Sequence, residues 1–101
     1  MLELKPTCEN CNKPLPPEST EARICSFECT FCAPCVQDVL GDVCPNCGGG
    51  FCPRPIRPRL DLRDGNNLEN NPAGKRVVYK PVDAAEHASF AARVKARLGS
   101  T

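Results

Sequence analysis

Nine cysteines fall between positions 8 and 52 of a 101-residue chain, and none falls after them. The densest stretch, ICSFECTFCAPCV (24–36), puts Cys25, Cys29, Cys32 and Cys35 into eleven consecutive positions. A disulfide needs Cα atoms about 4.4–6.8 Å apart with Cβ vectors aimed at one another, so neighbours this close cannot all pair sensibly. Thiolates three or four residues apart do suit a tetrahedral metal, whose sulfur ligands lie about 2.3 Å from the ion. With eleven prolines, seven glycines, no Trp and only four Phe and one Tyr, the chain has little from which to build an apolar core. A domain this small usually needs a staple.

Nine cysteines could serve as disulfides in a secreted protein or as metal ligands in a reducing compartment. The N-terminus, MLELKPTCEN, shows no basic region followed by an apolar run, so no secretory signal is expected. No run of eighteen apolar residues occurs, so no membrane span is expected either. Cytoplasmic metal ligation is therefore the expectation. The net charge of +1 hides an asymmetry: residues 1–52 hold three basic and seven acidic residues, residues 53–101 ten basic and five acidic. Bound thiolates would make the head more negative still. The head is thus a poor grip for a phosphate backbone, and the basic tail a weak one.

The composition divides the chain into a cysteine-bearing domain (1–52), a Pro/Arg then Asn/Gly linker (53–74) and a C-terminal segment (75–101). KRVVYKPV (75–82) predicts a short strand, confined to an edge or end by Pro81. DAAEHASFAARVKARLG predicts a helix, with Asp83 as N-cap, Glu86 three residues on, and Gly99 as the stop. Phe90, Val94 and Leu98 form a stripe with Ala91, while Arg93, Lys95 and Arg97 crowd the last turns, where cations suit the helix dipole. The stripe is expected to dock on its own head or on a copy of itself, with Arg93 and Arg97 facing the head's acids. His87 is expected to be an exposed helical residue and not a ligand.

Eight cysteines fall into four close pairs: Cys8/Cys11 (CENC), Cys25/Cys29, Cys32/Cys35 (CAPC) and Cys44/Cys47 (CPNC). Three of the four are CxxC, the spacing in which one tight turn aims two sulfurs at one ion. Four pairs make two tetrahedral sites, two Zn²⁺ per chain, and three arrangements keep the pairs whole. A sequential one leaves Thr30 and Phe31 as the only spacer between sites. A nested one wraps Cys25, Cys29, Cys32 and Cys35 round one ion. An interleaved one joins first to third and second to fourth, so that both ions stabilise one body.

The full spacing, C-x2-C-x13-C-x3-C-x2-C-x2-C-x8-C-x2-C over residues 8–47, resembles the RING finger consensus in an all-cysteine form, with Cys29 where RING domains commonly place His. The closing CPNC is similar to the CPxC of their last ligands. LELKPTCENCNKPLPP through ARICSFECTFCAPCV to CPNCGG also resembles a bacterial family of short cysteine-rich proteins of unknown function. The resemblance implies a small metal-dominated α+β fold, a RING-like cross-brace with site one on Cys8, Cys11, Cys32 and Cys35 and site two on Cys25, Cys29, Cys44 and Cys47. ARI and SFECTF would form a short β-hairpin, and PCVQDVLG a short helix starting near Pro34 and ending at Gly41. The C-terminal helix completes the fold.

RING ligases bind their conjugating enzyme through an aliphatic residue between the first two ligands, a large aromatic before the seventh and often an Arg after the eighth. Here those places hold Asn10, the Trp-free VQDVLGDV and Gly48. No catalytic residue is assigned, because four thiolates close a zinc site and no base accompanies a cysteine nucleophile. Cys52 is the odd thiol, expected to bind nothing. Leu2, Leu4, Leu15, Ile24, Phe27, Phe31, Val36, Val39, Leu40 and Phe51 are the candidate core. The expectation is a non-catalytic, zinc-stabilised module with a protein partner. Nucleic-acid association through the tail, a divergent ligase, and self-association through the C-terminal helix are the alternatives.

Overall fold

ARI and TFC, three residues each, are just long enough to pair across a five-residue loop. In the computed structural model, which describes residues 1–98, they form β1 (Ala22–Ile24) and β2 (Thr30–Cys32), antiparallel with Arg23 opposite Phe31. The loop between them carries Cys25 and Cys29, as the sequence predicts. A third strand, β3 (Cys52–Pro53), was not anticipated; it pairs with the free edge of β1, giving the order β2-β1-β3. Pro53 is tolerated there because an edge strand can spare a donor.

Helix α1 (Ala33–Cys35) starts directly at the end of β2, with Pro34 in its first turn, where a missing N–H is no loss. It continues as one wide π turn, Val36–Leu40, whose terminal Gly41 adopts φ 59° and returns its N–H to the Val36 carbonyl. That left-handed residue stops the helix where the sequence placed its end.

Leu4, Leu15, Phe31 and Leu40 fill the small core together with the side chains of Cys8, Cys32 and Cys44. Phe51 packs edge-on against Phe31, with ring centroids 5.5 Å apart. Phe27, at the hairpin tip, stays 75% exposed. Where apolar side chains run out, buried polar groups take over. Glu9 accepts from Lys5 Nζ at 3.1 Å and from the Thr30 N–H at 2.7 Å, and Lys5 also donates to the Glu28 carbonyl. Burial of a charge is tolerable only with such partners. Arg54, 3% exposed, is met by carbonyls: its guanidinium donates to Lys5, Leu15 and Pro16 oxygens at 3.0, 3.2 and 3.0 Å, and its N–H to Ala22 at 2.9 Å. Burial lowers its pKa from the ordinary value.

Residues 54–74 form no helix or strand, in keeping with their composition, yet they are tied to the rest. Arg57 donates to the carbonyls of Leu2 and Asn71, the Leu68 N–H reaches Pro58, and the Gly74 N–H reaches Leu4. The expected strand in 75–82 does not form. Its backbone makes separated bonds instead, Lys80 N–H to the Glu9 carbonyl at 2.7 Å and Val82 N–H to Asn10 Oδ1 at 2.8 Å, and Arg76 pairs with Glu3. A segment held by side chains and a knuckle backbone has no ladder to join, and Pro81 removes a further donor.

Helix α2 (Ala84–Leu98) begins as predicted, the Glu86 N–H bonding to Asp83 Oδ1 at 2.9 Å. Gly99, its expected stop, lies outside the described residues. The helix docks on its own head, but its buried face differs from the predicted stripe. His87 and Ala91 are buried, Phe90 and Val94 half-buried, and Leu98 is 62% exposed. His87 is therefore not the exposed residue expected: its Nε2 donates to the Leu40 carbonyl at 2.8 Å. That carbonyl lies at the C-terminal end of the π turn, where helical carbonyls lack intrahelical donors. Phe90 and Val94 lie over Gly48, close enough that a methyl group there would touch both at 3.6 Å. Among the described residues the ion pairs are Lys5–Glu9, Lys13–Glu21 and Arg76–Glu3, so neither Arg93 nor Arg97 forms an ion pair with a head acid. Arg93 lies over the Phe90 ring instead.

Arg54→Ala should lower stability by roughly 3 kcal/mol, because it strands buried carbonyls. Arg54→Lys should restore little, since an ammonium cannot span the fork of acceptors. Urea unfolding of the metal-loaded chain measures both, and wild-type midpoints would dismiss the clamp.

Candidate metal centre

The first and last cysteine pairs sit on two copies of one turn. The Asn12 N–H bonds to the Cys8 carbonyl at 2.9 Å and the Gly48 N–H to the Cys44 carbonyl at 2.8 Å. Cys8 N–H bonds to Lys13 and Cys44 N–H to Gly49 in the same relation. Each turn is followed by a left-handed residue, Asn12 at φ 63° and Gly48 at φ 80°. Asn and Gly are the residue types that accept this conformation most readily. The other two pairs come from the hairpin loop (Cys25, Cys29) and from the junction of β2 with α1 (Cys32, Cys35).

The fold gathers these thiols in the interleaved order. The sulfurs of Cys8, Cys11, Cys32 and Cys35 all lie within 4.8 Å of one another, as do those of Cys25, Cys44 and Cys47. Cys29 stands beside the second group without joining that mutual set. Its thiol still interacts with Cys25 and Cys44 and accepts a hydrogen bond from Asn46 Nδ2 at 3.5 Å. Cys52 is exposed on β3 and belongs to neither group.

Distances and charge both fit a metal ion. Four sulfurs about 2.3 Å from a tetrahedral centre are about 3.8 Å apart, and Cys11 Sγ lies 3.7 Å from Cys32 Sγ. Burial pushes the thiols of Cys29, Cys32, Cys35 and Cys44 up. Burial acts upward on Cys11 and Cys25 too, but hydrogen bonds, led by the backbone of Lys13 and of Phe27, outweigh it and leave both thiols below the ordinary value. Several thiolates crowded at these distances repel one another, and a divalent cation removes that cost. Donors are already aimed at sulfur: the N–H groups of Phe27, Asn46 and Gly49 reach Cys25, Cys44 and Cys47, each at 3.4 Å. Bonds of this kind orient metal-binding thiolates.

Sequence reasoning overlooked the side chains that surround the sulfurs. Asn10 donates to Cys35 Sγ at 3.3 Å, in parallel with Asn46 and Cys29. The signal was present as the Asn shared by CENC and CPNC. The Glu9 carboxylate, which ties the first turn to Thr30, carried no such signal.

Cys52→Ser should leave the metal content of zinc-loaded protein unchanged, whereas Cys44→Ser should remove one ion. Elemental analysis of the purified variants decides, and loss of metal from Cys52→Ser would mean that Cys52 enters a site.

The family model DUF1272, described as a protein of unknown function, matches residues 1–57 and so takes in every cysteine. An uncharacterized protein of Rhizobium meliloti (strain 1021) is 48% identical over 85 residues, covering 84% of this chain and 94% of its own length. No solved structure matches the chain. With the family model spanning more than half of its length, including both groups of thiols, the chain belongs to the DUF1272 family of proteins of unknown function.

Proposed function

We propose that the protein is a non-catalytic, zinc-stabilised module for protein–protein interaction, with one Zn²⁺ held by Cys8, Cys11, Cys32 and Cys35 and a second by Cys25, Cys29, Cys44 and Cys47. The observation that carries this reading is the pair of interleaved thiol groups with sulfur separations suited to a tetrahedral ion. All-thiolate tetrahedral sets favour zinc. Four protein ligands leave no open position for water or substrate, so each ion is structural and its binding energy is folding energy. The ions do what the thin core cannot. No described helix is long and apolar enough to cross a membrane. The reading places the chain in the cytoplasm, where unpaired thiols persist.

The resemblance to RING ligases would bring a conjugating enzyme to the neighbourhood of Asn10, the helix after the sixth cysteine, and Gly48. The chain's own tail occupies those places: Val82 on Asn10, His87 on Leu40, Phe90 and Val94 on Gly48. That supports an interaction module over a ligase. It also weighs against self-association through α2, whose buried face is used within the chain. The partner surface is a groove of about 560 Å³ along residues 56–68, where Ile56, Leu60 and Leu62 are 52, 62 and 72% exposed beside Arg57 and Arg59. Exposed apolar residues on a hydrogen-bonded segment suit a ligand at low ordering cost. The lining carries Arg57, tied to the carbonyls of Leu2 and Asn71, the exposed Arg59 and one acid, Glu18, and this net positive charge favours an acidic peptide with apolar anchors.

Native mass spectrometry should show two Zn²⁺ per chain, and a strong chelator should abolish the folded NMR spectrum. A chain that stays folded without metal would overturn the zinc reading. For the interaction, peptide display against the zinc-loaded chain should enrich acidic, apolar sequences, and joint replacement of Ile56, Leu60 and Leu62 by Ser should abolish the enrichment with zinc content unchanged.

A further inference from the structure

The two terminal cysteine turns are alike beyond their ligands. Each reads Cys-x-Asn-Cys, each closes the same two backbone hydrogen bonds, and each sends its Asn amide out of the turn to a thiol of the pair that completes the group. Asn10 Nδ2 donates to Cys35 and Asn46 Nδ2 to Cys29, in both cases the later cysteine of that pair. The earlier cysteines are served by backbone donors, Cys32 by Cys35 and Cys25 by Phe27. The asparagines therefore reach the two thiols that stand furthest along the chain in their pairs and that backbone turns of the Cys25 and Cys32 type do not serve.

The copies differ in what holds the asparagine. Asn10 Oδ1 accepts the Val82 N–H at 2.8 Å, and the neighbouring Glu9 carbonyl accepts the Lys80 N–H at 2.7 Å, so the tail straps the first turn from outside. Asn46 is exposed, and among the described residues its carbonyl has no corresponding tie. Its acceptor, Cys29, is also the thiol that stands apart from the mutual grouping of its set.

We infer that Asn10 and Asn46 are equivalent positioning residues, each holding the later thiol of one cysteine pair through an N–H···S bond, and that segment 80–82 of the tail straps the asparagine of the first set alone. The inference rests on the zinc reading. An N–H···S bond draws charge from the sulfur and fixes its direction, so its loss makes the thiolate a better nucleophile and a worse ligand. The second set, with its asparagine unstrapped, is the one from which metal exchanges.

The test uses the full chain loaded with zinc and treated with iodoacetamide. Thiolate sulfur displaces iodide, forming an S–C bond while the C–I bond breaks, and the freed ion is read with a colorimetric chelator. Peptide mapping identifies the sulfur attacked. In the wild type, Cys29 should be modified before Cys35. Asn46→Ala should speed loss of the second ion roughly tenfold, with attack at Cys29, and Asn10→Ala should do the same for the first, with attack at Cys35. Val82→Pro, which removes the N–H held by Asn10, should speed loss from the first set only. In cadmium-loaded protein each Asn variant should shift one of two ¹¹³Cd resonances, a change that a general loss of stability would not confine to one site. Wild-type rates and unshifted resonances in both Asn variants would overturn the assignment, and acceleration at the second set by Val82→Pro would overturn the role of the tail. A wild-type chain that takes up fewer than two ions would overturn the zinc reading instead.

Discussion

The β1–β2 hairpin belongs to both thiol groups at once, and the remaining architecture follows from that sharing. Its loop supplies Cys25 and Cys29 to one group, while the end of β2 and the start of α1 supply Cys32 and Cys35 to the other. Thr30 and Phe31 lie between them, both fully or almost fully buried. Neither group can close without fixing the hairpin, and the hairpin cannot shift register without breaking both. On the proposed reading, two ions bound this way would cross-link one body, each adding binding energy to a fold with little apolar area to bury.

Where larger domains use hydrophobic layers, this one uses hydrogen bonds from buried charged side chains. Arg54 gathers the carbonyls of Lys5, Leu15 and Pro16, so one side chain joins the N-terminal segment to the connection that leads into the hairpin. Glu9 and Lys5 join the first cysteine turn to Thr30 and Glu28. Such groups contribute modestly when satisfied and cost much when one partner is removed. A core built this way tolerates few substitutions around its turns, whereas the exposed residues of 56–63 are free of that constraint.

The tail changes what the head presents. Segments 80–82 and α2 lie over the first turn, the end of the π turn and the second turn, so the surface nearest the thiol groups is covered within the chain. Of the apolar residues that remain exposed, Ile56, Leu60 and Leu62 lie together on the segment that composition marks as a linker. On the proposed reading, the zinc sites support the interaction surface without forming it.

The sequence by itself determined what depends on local spacing and turn chemistry. The CxxC pairs, the hairpin that presents Cys25 and Cys29, the helix stop at Gly41 and the Asp83 cap were legible because each is set within a few residues by sterics or by a single hydrogen bond. The interleaved grouping came from resemblance, since spacing left three arrangements open. Tertiary structure decided what depends on distant partners. β3 exists because β1 has an edge to fill, 75–82 is no strand because the first cysteine turn takes its donors, and His87 is buried where its ring reaches the Leu40 carbonyl, 47 residues away. Arg54 could not be read as a buried clamp from a Pro/Arg repeat, because its acceptors lie 38 to 49 residues away. Periodicity marked Phe90, Ala91 and Val94, which do lie on the docked face of α2, but not His87, a polar side chain that leaves no mark on the hydrophobic pattern.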